Sequence, residues 1–167
     1  AKQYIELGIA ARDKFKLEPT VHWTIAPHAP YTVSDDTFRH MAMLAEELDL
    51  PVHCHLHETA SEVSDAESRD GKRPFARFEQ LGLINERLMA VHGVHLNEHE
   101  LQAMAAKGAT LVHCPASNLK LASGIAPVAA ALKAGVNVVI GTDGAASNNK
   151  LDLWEEGRLA SLLCKGA

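Results

Sequence analysis

Two rhythms of hydrophobic and polar positions alternate along the chain. Short apolar runs rich in β-branched residues occur at TVHWTIAP (20–27), PVHCHL (51–56), RLMAVHGV (87–94), ATLVHC (109–114) and NVVIGT (137–142), and each predicts a strand. Between them the apolar positions return every three or four residues, the period of a helix with one buried face. SDDTFRHMAMLAEEL (34–48) opens at a Ser34 cap with acids in its first turn. NEHELQAMAAKG (97–108) runs from a capping Asn97 to a closing Gly108, and APVAAALKAG (126–135) stops at Gly135 in the same way. KLDLWEEGRLASLL (150–163) is amphipathic, AKQYIELGIAARDKFK at the start reads as helix, and RDGKRP breaks the segment 59–86 into two helical pieces.

Near-continuous apolar strands alternating with helices imply an α/β fold, a parallel sheet covered by helices. About five such units fit either an open doubly wound sheet or part of a (β/α)8 TIM-type barrel. Neither G-x-G-x-x-G nor G-x-x-x-x-G-K-[ST] occurs, so the barrel leads. With 167 residues a single domain is expected. The chain begins without Met and inside a helix pattern, which suggests a piece of something longer.

Composition narrows the classes. The chain is 47% hydrophobic and 22% charged, as in a soluble globular protein. A net charge of -5 offers no basic stripe for phosphates, so nucleic acid is not an expected partner. No apolar run approaches the ~18 residues of a membrane span. Three well-separated cysteines with no C-x-x-C argue against a disulfide framework and for a reducing cytoplasm. Ten histidines is the anomaly.

Barrel enzymes carry their chemistry at the carboxyl ends of the strands, and the polar residues follow that rule. APHAP supplies His28, VHCHLHE supplies His55, His57 and Glu58, VHGVH supplies His92 and His95, HC supplies His113 and Cys114, and GTDG supplies Asp143. A lone histidine near a strand end is more often a hydrogen-bonded structural residue than a ligand, and an Asp before Gly is usually a turn residue. Repetition at matching positions points instead to one shared site. His22, His40 and His99 fall elsewhere, as surface or core residues, and Cys54 and Cys114 read as small buried side chains. Imidazoles with a carboxylate and no clustered thiolates suit zinc or a comparable divalent ion. With water activated there to a pKa of about 7 and Glu58 placed as proton shuttle, the expected reaction is hydrolysis at an electrophilic carbon.

APHAPYTVS, HLHETASEV, VHGVHL, HCPASNLKLASGIAPV and GTDGAASNNKLDLWEEGRLASLL together resemble the amidohydrolase superfamily. Within it they look most like the 5-methylthioadenosine/S-adenosylhomocysteine deaminase group, over nearly the whole chain from residue 20. The resemblance implies a barrel with one divalent metal, usually zinc, that hydrolyses the 6-amino group of an adenine ring in a small nucleoside. By motif it implies His55 as a metal ligand, Glu58 as proton shuttle and substrate contact, and His92 as the residue orienting water and a further ligand. It implies Asp143 as ligand, proton acceptor and substrate contact, and His28 as a substrate contact. His53 is left to packing behind the ligands and His57 to the lining of the mouth.

Members of that family also carry an H-x-H pair on the first barrel strand, giving two more ligands. Here the H-x-H pairs are His53/His55 and His55/His57, both in the fifth-strand motif. Residues 1–167 are therefore expected to be the C-terminal portion of one incomplete barrel domain, fourth strand to eighth helix, inactive by itself. Oligomeric state is left open. The alternatives are a related enzyme acting on another cyclic amidine (triazine, guanine or cytosine) and a truncated, inactive structural half-barrel. Signatures of other classes, H-x-E…P-C-x-x-C and G-x-S-x-G, are absent.

Overall fold

Alternation along the strands decides which way each side chain faces. The structure, a computed structural model, describes residues 2–166, and among these the strands are β1 (Val52–Leu56), β2 (Leu88–His92), β3 (Thr110–His113) and β4 (Asn137–Ile140). They form one parallel sheet in the order β1-β2-β3-β4. Helices α1 (Lys2–Phe15) and α2 (Asp35–Glu47) precede it. Helices α3 (Ala60–Asp70) and α4 (Pro74–Gln80) join β1 to β2, and α5 (Glu98–Lys107) joins β2 to β3. Helices α6 (Pro115–Lys120) and α7 (Val128–Ala134) lead to β4, and α8 (Leu153–Gly166) follows it.

On one face, Val52, Cys54 and Leu56 of β1, Leu88 and Ala90 of β2, and Leu111 of β3 share a core with Phe38, Phe75, Phe78, Leu101, Met104 and Ala131 from the helices. Phe38 and Phe78 meet edge to face at 4.9 Å in its centre. On the other face Val91, Val112 and Cys114 cluster with Met89 and Val139, and among the described residues no apolar helix side chain joins this cluster. Helices packed on one face, and an apolar cluster drawn only from the strands and their ends on the other, give the wall of a barrel rather than a doubly wound sheet. No described helix is long and apolar enough to cross a membrane.

The helix ends follow the sequence signals. Ser34 caps α2 by accepting from the Thr37 N–H, Asn97 and Glu100 form a capping box on α5, and Gly108 closes α5 at φ 71°. α6, with six residues, is too short to show periodicity in the sequence and starts on Pro115 directly after β3.

The run 20–27 differs from the expected strand. It touches β1 through a single bridge, Ile25 to Val52. Ile25 donates to Pro51 O and accepts from His53 N. The next donor of a parallel ladder belongs to Pro27, which has no N–H, and the chain slips so that His55 N bonds His28 O.

His57 also differs: it lines no mouth but is fully buried. Its Nε2 accepts the Phe75 N–H at 3.1 Å, which leaves its proton on Nδ1, 3.5 Å from Glu100 Oε2. Arg73 grips the same carboxylate at 2.7 and 3.0 Å and donates to His95 O at 2.6 Å. The loops after β1 and β2 are thus tied together by one buried polar cluster. Arg77 likewise holds the loop after His28, donating to Pro30 O, Val33 O and Asp35.

Burial alone would push the Glu100 carboxyl up, but hydrogen bonds from His57 and Arg73 overcome this and bring it down to about 2. A depressed carboxyl contributes stability that is complete above its unfolded pKa, roughly 4.3, and lost as pH falls toward the folded value. The cluster therefore contributes about 3 kcal/mol that disappears between roughly pH 4.5 and 2. Glu100→Gln should cost roughly 3 kcal/mol at neutral pH and flatten the stability curve in that window. Denaturant unfolding of both proteins from pH 2 to 7 checks this, and parallel curves would contradict it.

Candidate active site

Alternation sends His53 and His55 of β1 to the inner face, opposite Val52, Cys54 and Leu56. Strict alternation from Leu88 and Ala90 would send His92 outward to the helices. It does not go there, because His92 has φ 75°. Left-handed backbone is uncommon outside glycine. Of the six non-glycine residues that adopt it among the described residues, His57 (φ 54°), His92 and Asp143 (φ 58°) lie at or just beyond the carboxyl ends of β1, β2 and β4. At His92 and Asp143 the backbone turns the side chain back over the sheet, whereas at His57 it turns the ring away, to Phe75 and Glu100.

The result is a trio. One nitrogen each of His55 and His92 and one carboxylate oxygen of Asp143 lie within 4.8 Å of one another. The His55 ring stands between His28 and His92, 5.1 Å from each centroid. Glu58 Oε2 is 3.8 Å from His92 Nε2. His28 is exposed at the rim, its Nδ1 3.0 Å from Thr32 Oγ1 and its ring 5.9 Å from that of Tyr31.

Each member of the trio is fixed from behind. His92 Nδ1 is 2.8 Å from Asn118 Oδ1, an acceptor, so the proton belongs on Nδ1 and the Nε2 lone pair is free. Asp143 Oδ2 accepts from both Ser117 and Ser147 hydroxyls at 2.6 Å, and Oδ1 accepts the Gly144 N–H at 2.8 Å. Burial opposes the charge on Asp143, but these donors outweigh it and hold its carboxyl below the usual range. Burial, then the neighbouring His92 and His28, lowers His55 and favours its neutral form.

A divalent ion fits this donor set. Neutral imidazole and ionised carboxylate are the forms that coordinate. Bonds of roughly 2.0–2.2 Å place tetrahedral ligand atoms about 3.4 Å apart, and the trio's atoms lie within 4.8 Å of one another.

The structure thus gathers His55, His92, Asp143 and Glu58, with His28 beside them. His53 lies half-buried two positions below His55 on the same face. His95 bonds Ser123 O at 3.0 Å and stays outside. His113 is buried, with its Nδ1 lacking a partner among the described residues, and burial lowers it to about 4. His22, His40 and His99 are exposed, and Cys54 and Cys114 are buried. Ser117, Asn118 and Ser147 escaped the sequence reading, although PASN and SNN place short polar side chains directly after the strands concerned.

The amidohydrolase family model matches residues 4–166. A 5-methylthioadenosine/S-adenosylhomocysteine deaminase of Pyrococcus furiosus is 46% identical over 172 residues, covering 99% of this chain and 41% of its own. A protein of the same name from Saccharophagus degradans is 44% identical, covering 99% of this chain and 37% of its own. The crystal structure of an adenosine deaminase from Xanthomonas campestris with bound zinc superposes with a TM-score of 0.96 at 49% identity, over 99% of this chain and 38% of that one. The chain thus spans about two fifths of the relatives it matches.

Removing one hydroxyl from Asp143 should move its carboxyl upward. In Ser117→Ala, carboxyl NMR is expected to show Asp143 titrating at higher pH than in the unaltered protein, and an unchanged midpoint would mean the hydroxyl does not stabilise the anion.

Proposed function

The chain belongs to the amidohydrolase family, and on that premise we propose that the protein containing it is a metal-dependent aminohydrolase acting on the adenine ring of small nucleosides. S-adenosylhomocysteine, 5-methylthioadenosine and adenosine are the substrates in view, following the names of its relatives. The observation that carries the reading is the convergence of His55, His92 and Asp143 within 4.8 Å, beside Glu58.

In this reading His55 and Asp143, with His92, hold one divalent ion, and zinc suits the donors. A bound divalent ion supplies Lewis acidity that brings the pKa of water toward neutrality. His92 and Asp143 orient the water that adds to the ring carbon bearing the amino group, and Asp143 accepts its proton. Glu58 delivers a proton to the adjacent ring nitrogen and recovers one from the added hydroxyl as the ring carbonyl forms, while the proton held by Asp143 passes to the departing amine, which leaves as ammonia. His28, at the rim, contacts the purine or its sugar. Since Glu58 moves protons and does not ligate, its loss separates chemistry from metal binding.

The assay is ammonia release from S-adenosylhomocysteine or adenosine by a zinc-loaded protein of the relatives' full length. Glu58→Gln is expected to retain zinc and lose turnover by about 100-fold or more. Equal loss of zinc would contradict its role. Asp143→Asn and His55→Ala should each lower the zinc content measured after dialysis, and full retention in both would remove the metal assignment. No ammonia from any adenine nucleoside would end the substrate reading.

A further inference from the structure

Glu62 takes no part in the chemistry above, yet it is buried against the segment that carries Glu58. Its Oε1 accepts the His57 N–H at 2.9 Å and its Oε2 accepts the Glu58 N–H at 2.8 Å. One carboxylate therefore grips two consecutive amides, at the left-handed residue where the chain leaves β1. The surroundings hold the same turn. His57 O accepts from His95 N at 3.0 Å, His57 Nε2 accepts from Phe75 N, and Thr59 caps α3 by accepting the Glu62 N–H.

The ordinary explanation for such a residue is a helix cap. Thr59-Ala60-Ser61-Glu62 has the spacing of a capping box, in which the third-position carboxylate reaches back to the N–H of the cap residue itself. Glu100 does this on α5, accepting from Asn97 N at 2.9 Å. Glu62 reaches further, past Thr59, to the two amides before it. That difference separates aiming Glu58 from finishing a helix.

We infer that Glu62 is a positioning residue for Glu58: its two-oxygen grip on the His57 and Glu58 amides fixes the turn from which the Glu58 carboxylate reaches to 3.8 Å from His92. The inference rests on the proton-shuttle reading of Glu58. Displacing a reacting group by an ångström costs about 100-fold, so loosening this grip acts on turnover without touching substrate or ion.

A double-mutant cycle tests it in the full-length, zinc-loaded protein, using ammonia release and zinc content for Glu58→Gln, Glu62→Gln and the double variant. Glu62→Gln keeps the shape but turns an NH2 toward one of the two amides, losing that bond and setting donor against donor. The expected result is a loss of about 10- to 100-fold, on the same kinetic constant that Glu58→Gln affects, at unchanged zinc content and with no further loss in the double variant. Glu62→Asp, which keeps both acceptor oxygens one methylene further back, serves the same cycle should Glu62→Gln fail to fold. Turnover within about threefold of the unaltered protein overturns the inference, and so do losses that multiply in the double variant, the sign of independent action. Normal turnover by Glu58→Gln alone would sink the shuttle reading and this inference with it, whereas an inactive Glu58→Gln beside an active Glu62→Gln sinks this inference only.

Discussion

The parallel hydrogen-bond ladder is the constraint on which the site depends. Leu56 stands beside His92 across β1 and β2, and His113 beside Ile140 across β3 and β4. Because parallel strands run the same way, their carboxyl ends finish at one level. Residues 88 positions apart in sequence, His55 and Asp143, then share a few ångströms of space. A one-residue slip in any ladder would turn a strand's inner side chains outward. The outer face resists such a slip, since Leu56, Leu88 and Leu111 are fully buried against helices.

Register brings the strand ends together but does not aim the side chains. Aim comes from left-handed turns at His57, His92 and Asp143. Such backbone costs energy outside glycine and persists where surroundings over-determine it. Here the surroundings are polar and buried. Glu62 holds the turn after β1, Asn118 meets His92, and two serines hold Asp143. Asn148 bonds Thr142 O and the buried Glu156, so α8 supports the loop that presents Asp143.

These polar groups also divide the histidines between two tasks. His55 and His57 are two positions apart in a strand-like run, and both were candidates for the open end. His55 remains on the inner face among other rings, while the left-handed turn sends His57 under the loop to Phe75 and Glu100. One imidazole stays beside His92 and Asp143 at the strand ends, and the other joins the cluster built on the Arg73–Glu100 salt bridge, which ties the neighbouring loops together.

Much of this was legible in the sequence. Alternating runs gave four of the expected strands and cap residues marked the helix ends at Ser34, Asn97, Gly108 and Gly135. The polar residues after the runs offered a wider set of candidates, mostly histidines, from which the family resemblance and not the pattern singled out His55, Glu58, His92 and Asp143. Those signals are local, set by side-chain period and backbone preference within a few residues. The tertiary structure decided the rest. It reduced 20–27 to one bridge, because a ladder donor is required where Pro27 has none. It buried His57, because its turn depends on partners 18 and 43 residues away, Phe75 and Glu100. It also recruited Ser117, Asn118 and Ser147, ordinary polar residues whose significance lies in what the folded sheet places beside them.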